Sequence, residues 1–377
     1  MTLVINRGED DPRVHVLAIG VDNYRHLPGG ADPRGLDRLG LRQLSSATPS
    51  ALKMAEWLAL YLNHPHARFG TLEMLLSPPQ TVYLAGENPK MVNDVPNRAT
   101  IRRAFDEWKD RCNTDERNVA IFYFCGHGVA RQSQYLLLED FGASENDLLE
   151  NAVDARATYE GMSQCRARSQ YFFIDTCREV PRWLTNKLKG GPMVLASPTS
   201  FVDRRTDSVF MIATAPGRRA FGKPKDVGRF TKSVIWALRG SGARLWRGRW
   251  QVDYAGLHTA VFSHLEANGS VAVNQSPETR VIGEAALQVF EEPPKIPITV
   301  ECEPEVATGC ANFALLANCG ESFSPNSSGP WRLLVPADTY QLSAEFPRGE
   351  FSKKSEIHAI YPPYSPPPHD YHVRVAT

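Results

Sequence analysis

Five short runs of almost uninterrupted apolar residues constrain this chain more than any other feature: Val14 to Val21, Thr81 to Ala85, Val119 to Phe124, Gln170 to Ile174 and Val209 to Ala213. A strand that is apolar on both faces belongs inside a sheet covered on both sides. Stretches with helical spacing separate the runs. Thr48-Pro49 offers an N-cap followed by proline at the first helical position, and Leu52, Ala55, Ala59 and Leu62 then mark one face. After Thr100, the residues Ile101, Ala104, Phe105, Trp108 and Cys112 fall on one stripe. Two more helices are expected over Phe230 to Leu238 and Tyr254 to Leu265. Strand and helix in alternation predict an α/β domain with a mainly parallel sheet over residues 1–292.

Past Pro293-Pro294 the helical spacing stops. Alternating stretches such as Trp331 to Val335 and Thr339 to Glu345 lie between Gly, Pro, Asn and Ser clusters, which predicts a small all-β sandwich domain over 295–377. The run Tyr361-Pro-Pro-Tyr-Ser-Pro-Pro-Pro fits either a polyproline ligand or packing along a sheet edge.

Charge excludes some classes of function. The chain has 42 Lys and Arg against 42 Asp and Glu, so the whole molecule has no basic bias toward nucleic acid. Locally, residues 218 to 249 hold ten Lys or Arg against the single acid Asp226; this fits an acidic or nucleic-acid partner or a solvated basic face, and the solvated face is preferred. The opening residues lack the apolar run of a secretory signal, and nowhere do about 18 uncharged apolar residues follow one another, so a cytoplasmic protein with no membrane partner is expected. Seven scattered cysteines without a CxxC pair argue for reduced thiols and against a zinc site. No metal or other cofactor is expected; no EF-hand loop is present and calcium dependence is left open.

Two of the apolar runs end in reactive residues. Asn118-Val-Ala-Ile-Phe-Tyr-Phe leads into Cys125-Gly126-His127-Gly128, and Gln170-Tyr-Phe-Phe-Ile leads into Asp175-Thr176-Cys177-Arg178. In open parallel sheets the reactive crevice lies beyond the carboxyl ends of the strands, so His127 and Cys177 can meet there if their strands are neighbours. An imidazole able to take and return a proton beside a thiol suits acyl transfer. Backbone amides of Gly128 and Cys177 are the candidate oxyanion donors. Cys125 is read as structural, because strand alternation turns it toward neighbouring strands.

The strand-His-Gly and strand-Asp-x-Cys-Arg pieces, 50 residues apart, resemble the caspase and metacaspase superfamily. Val16-Leu-Ala-Ile-Gly-Val-Asp-Asn-Tyr is similar to that family's opening strand, Tyr135-Leu-Leu-Leu-Glu-Asp-Phe-Gly to the hairpin after the histidine, and Gly228-Arg-Phe-Thr-Lys to the start of a late helix. The resemblance implies a caspase-like three-layer sandwich and a cysteine endopeptidase that works on protein substrates through a Cys177–His127 dyad and a thioester. It also implies a carboxylate at Asp175 in the S1 pocket, pairing with Arg or Lys at P1. Where metacaspases carry a second Asp early in the helix after strand one, this chain has Ser50, and Asp22 is the candidate to compensate. The segment from Glu179 to Val209, with Lys187, Lys189, Gly190, Gly191, Arg204 and Arg205, falls where relatives are cut during maturation, so self-cleavage after Arg204 or Arg205 is expected if S1 takes basic residues. The alternative is a catalytically silent caspase-like scaffold or sensor. Leu334-Val-Pro-Ala-Asp-Thr-Tyr-Gln-Leu resembles transthyretin-like or carboxypeptidase-regulatory-like sandwiches, and that domain is expected to recruit a substrate or an activating partner. Bacterial relatives of this type point to stress or defence systems.

Overall fold

A computed structural model describes the chain except for residues 1, 9–11, 145, 179–190, 198–202, 215–223, 268–276, 285, 326–328, 364–368 and 377. By compactness it divides into Met1–Ile235 with Ser270–Leu287, and Trp236–Gly269 with Gln288–Thr377. That division falls elsewhere than the expected break near residue 293. Strand Arg249–Val252 pairs with Gln288–Phe290, which ties the segment before residue 269 to the C-terminal unit.

The first unit is built on a seven-stranded sheet in the order Leu3–Asn6, Arg68–Ser77, Arg13–Val21, Val119–Gly126, Ser169–Thr176, Asp207–Ile212, Glu278–Ile282. The five inner strands are parallel and the two edge strands antiparallel. Buried residues run through both faces of Arg13–Val21 and of Val119–Gly126, the histidine strand. Ser169–Thr176, the cysteine strand, is likewise buried after its first residue. Helix α1 (Ala47–Tyr61) and helix α2 (Arg98–Cys112) are the crossovers. All five stripe residues of α2 are buried, and Asn97 caps it in a reciprocal capping box with Thr100.

Three expectations are corrected. The second strand of the sheet is Arg68–Ser77, whereas Gln80–Val82 only forms a two-stranded ribbon with Lys90–Val92. Arg68–Ser77 hides from an apolar-run search because Glu73 lies inside it, fully buried. Its carboxylate pairs with Arg111 and accepts from the Thr2 hydroxyl, so the charge is compensated by residues far away in sequence. In α1 the buried face is Ala51, Met54, Ala55 and Leu58, not Leu52 and Leu62; Leu62 is already extended. Ser46, not Thr48, occupies the N-cap position, without a side-chain cap.

The second unit contains helix Tyr254–Leu265, a three-stranded ribbon (Arg244–Trp246, Arg249–Val252, Gln288–Phe290) and two further sheets. One sheet orders Trp331–Pro336, Lys295–Glu303 and His369–Arg374; the other orders Ser322–Phe323, Asn312–Ala317, Asp338–Glu345 and Lys354–Ile360. Ile296, Ile298, Val300, Phe313, Leu315 and Leu342 from both sheets share one core, which makes a small β sandwich. Among the described residues no helix is long and apolar enough to cross a membrane.

Candidate active site

The histidine and cysteine strands pair in parallel, with Asp175 opposite Cys125 and Thr176 opposite Gly126. The next residue on each strand is His127 and Cys177, so both emerge at the carboxyl rim from strands about 4.8 Å apart. Gly128 is pressed against the same rim, since a Cβ there would come within 2.7 Å of Thr176 and 2.5 Å of Gln134. Only glycine lets the turn after the histidine approach the residue before the cysteine so closely.

Tyr24 wedges beneath this turn. Its phenol oxygen accepts the His127 backbone N–H at 2.6 Å, and the two rings lie 4.8 Å apart. Burial pushes the phenol well above its ordinary value, so it stays neutral, and Cys177 is among the groups close enough to raise it further. The His127 Nε2 lies 2.6 Å from the carbonyl of Arg42. A carbonyl only accepts, so Nε2 carries the proton and, in the neutral ring, Nδ1 is the acceptor. At the end of the cysteine strand, Gln134 Nε2 donates to the Thr176 hydroxyl at 2.9 Å and to the Cys177 carbonyl at 3.0 Å, holding the turn at Cys177. Arg178 is largely buried and pairs with Glu278 on the edge strand, one strand beyond Asp207–Ile212.

Asp175 points into a polar cluster on the face of the sheet opposite Phe122, Phe172 and Phe210. Its Oδ2 accepts from the Thr231 hydroxyl at 2.6 Å, and Tyr123 and Thr231 hydroxyls are themselves 2.6 Å apart. Burial raises its carboxyl to about 6, against the hydrogen bonds from Thr231 and Cys125, which lower it. A Cβ at Gly228 would sit 2.6 Å from Asp175 Oδ2, so glycine there keeps the carboxylate's space open. Ser50 Oγ accepts the Gly228 N–H at 2.8 Å and donates to the Ser46 carbonyl at 2.5 Å, joining this cluster. Cys125 lies in it too, its thiol driven well above the ordinary range by burial. Such a thiol is inert.

Asp22 does other work. Its Oδ1 accepts from Ala47 N at 2.8 Å and its Oδ2 from Thr48 N at 3.0 Å, so it satisfies the open amides of α1 that Ser46 leaves uncapped. Of the expected cleavage positions, Arg205 is tied down. Its guanidinium pairs with Asp203 at 2.5 Å, donates to the Tyr159 carbonyl and lies 4.2 Å over the Tyr159 ring. The Arg204 side chain is exposed. Glu179, Lys187, Lys189 and Gly190 lie outside the described residues.

A cavity of about 710 Å³ opens between the start of α1 and the Gln80–Val82 ribbon, lined by Asp22, Ser45, Thr48, Leu52, Tyr83 and Lys225 among others. It includes neither His127, Cys177 nor Asp175. Among the described residues no group of three or more His, Cys, Asp or Glu is placed to hold a metal ion.

Sequence reasoning missed Tyr24, Gln134, Thr231 and the Arg42 carbonyl. Two of these positions carried a signal: Tyr24 ends the Val16-to-Tyr24 stretch, and Thr231 lies within Gly228-Arg-Phe-Thr-Lys.

A parallel α/β sheet that delivers a thiol and an imidazole to adjacent strand ends defines the class of protein. The family follows from comparison: the caspase domain profile matches residues 15–282, and the chain belongs to the caspase-domain family. An uncharacterized protein, y4kE, of Sinorhizobium fredii (strain NBRC 101917 / NGR234) is 30% identical over 203 residues, covering 53% of this chain and 58% of that protein. A probable protease from a Desulfuromonadales bacterium is 31% identical over 218 residues, covering 54% of this chain and 25% of its own length. The chain thus spans less than two thirds of either relative. The crystal structure of caspase-1 from Spodoptera frugiperda aligns over 76% of this chain and 97% of its own with 12% identity and a TM-score of 0.43.

Proposed function

We propose that this chain is a cysteine endopeptidase with Cys177 as nucleophile and His127 as general base and acid. The observation that carries the reading is the parallel register, which sets Gly126 opposite Thr176 and brings the two reactive residues out side by side. The Cys177 thiol gives its proton to His127 Nδ1, because Nε2 is committed to the Arg42 carbonyl. The thiolate attacks the scissile carbonyl, and the oxyanion that forms takes hydrogen bonds from the Gly128 and Cys177 amides. The imidazolium returns its proton to the departing amine, leaving a thioester; water then attacks, with His127 again accepting a proton, and Cys177 is restored.

Asp175 favours Arg or Lys at P1. Burying this carboxylate is unfavourable, and among the described residues no cation pairs with it. A substrate guanidinium or ammonium entering beside it supplies the missing counter-charge. Ser50 contributes by anchoring Gly228 rather than by charge, and Asp22 by capping α1. The related proposal of self-cleavage favours Arg204, whose side chain is exposed, over the stacked Arg205.

The test is iodoacetamide labelling with mass spectrometry, beside a fluorogenic peptide series differing at P1. Cys177 should be the fastest-alkylating thiol at neutral pH, slowed in His127→Ala, and peptides with basic P1 should be cleaved by wild type and not by Cys177→Ala. Labelling of Cys177 at the rate of exposed Cys310 and Cys319, regardless of His127, would sink the proposal.

A further inference from the structure

We propose that the hairpin Arg244–Val252 is a docking site for single-stranded nucleic acid, with a base stacked on Trp246 and phosphates neutralised by Arg247 and Arg249. The basic run noted in the sequence had a solvated face as its preferred meaning. The structure groups part of that run around an exposed indole, and this changes what it can do.

The strands Arg244–Trp246 and Arg249–Val252 are joined by Arg247-Gly248, with φ of 48° and 79°. Positive φ at both central residues is the two-residue hairpin turn that favours Asn, Asp or Gly at its first position. Arginine at φ 48° is disfavoured sterically, so the turn itself does not account for its presence.

Register sorts the hairpin into two faces. Leu245 pairs with Trp250 and Trp250 with Phe290, so these three share one side. Trp250 packs against the sandwich core and stacks on Tyr361 at 6.0 Å. The other side carries Arg244, Trp246, Arg249 and Gln251. Trp246 is 48% exposed, and the Arg247 guanidinium lies 5.7 Å from its ring centroid. Arg244 is held by Asp253 at 3.3 Å, whereas Arg247 and Arg249 make no ion pair among the described residues. Glu291, one step beyond the paired Phe290, is the acid closest along the ladder, and no ion pair joins it to Arg249 there.

This combination selects among anionic partners. A nucleobase offers a flat π face to the indole, its phosphates offer charge to the guanidinia, and its edges can meet the Gln251 amide. A lipid surface would require neighbouring apolar side chains on one face, but Leu245 and Trp246 point to opposite sides. An acidic peptide would neutralise the arginines and leave the indole without a matching plane. Duplex DNA keeps its bases stacked among themselves and out of reach of Trp246.

The experiment is fluorescence anisotropy of the full chain with a labelled oligo(dT) of about 20 nucleotides, long enough to cover one binding groove, against an abasic strand of the same length. Wild type should bind the base-bearing strand, with log affinity falling with log salt by about 0.7 for each phosphate neutralised. Trp246→Ala should weaken binding about tenfold and remove the preference over the abasic strand. Arg247→Gly suits the turn better than arginine, so it keeps the fold, and it should lower the salt slope by about 0.7. Absence of binding at low salt, equal affinity for the abasic strand, or an Arg247→Gly variant with unchanged slope would each overturn the proposal. So would equal competition by polyglutamate, or tighter capture by phosphatidylserine vesicles that depends on Trp246.

Discussion

Replacing Asp175 by Asn changes one proton-binding group at nearly constant shape, and the structure sets the size and sign of the effect. Burial raises the Asp175 carboxyl from 3.8 to about 6 in the folded protein. At 1.36 kcal/mol per tenfold change in proton affinity, that rise corresponds to about 3 kcal/mol. The folded state holds this proton more tightly than the unfolded chain, so the stabilisation is fully present below 3.8 and is lost as pH climbs through about 6. The asparagine has no such dependence. Some cost of the exchange is independent of pH, because the new amide hydrogens need acceptors where Thr231 and Cys125 now donate; leaving one unpaired costs about 1–3 kcal/mol. That cost shifts the whole curve, and the other titrating groups cancel between the two proteins. Urea denaturation of Cys177→Ala, with and without the second change, should therefore show the stability difference moving toward the asparagine variant by about 2.5 kcal/mol between about pH 4 and pH 8. In the catalytic background, cleavage after P1 Arg should fall by about ten- to a hundredfold, the loss of one charged hydrogen bond, while a neutral P1 is less affected. A stability difference that stays flat with pH would refute the buried-carboxylate reasoning, and equal losses for basic and neutral P1 would refute the pocket assignment.

Tyr24→Phe removes the hydroxyl that accepts the half-buried His127 N–H, and kcat should drop about tenfold with little change in KM, measured on a P1 Arg peptide. Gln134→Leu releases the Thr176 hydroxyl and the Cys177 carbonyl together; slower iodoacetamide labelling of Cys177, with the labelling rates of the exposed Cys310 and Cys319 unchanged, is the expected signature. On self-cleavage, terminal sequencing should find a new amino terminus after Arg204 in wild type and none in Cys177→Ala; equal fragmentation in both would count against it. His15 and His64 are each lowered from 6.5 to about 4, chiefly by burial. Their contribution is present above about 6.5 and lost as pH falls through about 4, so His64→Gln should flatten the acid limb of the stability profile followed by circular dichroism.

Local pattern made much of the scaffold readable. The stripe from Ile101 to Cys112 and the apolar runs at Val14, Val119 and Gln170 report burial directly, because helical and two-sided strand burial each leave a periodicity in neighbouring residues. The same runs end in His127 and Cys177, so the candidate reactive pair could be named from strand ends alone. Arg68–Ser77 escaped, because a buried Glu73 breaks the run and its partners Arg111 and Thr2 stand dozens of residues away. Asp22 and Ser50 could be nominated for a pocket from their positions in the chain. Whether each supplies charge, a helix cap or an anchor for Gly228 depends on which backbone amides face it.

The amino-acid order determined four of the five parallel strands of the main sheet and the two strand ends that carry His127 and Cys177. Tertiary packing alone decided that the Arg42 carbonyl orients the imidazole, that Tyr24 supports it from 103 residues away, and that Asp175 titrates near 6. Those properties arise from desolvation and from hydrogen bonds between distant parts of the chain, and neither leaves a trace in the residues next to them.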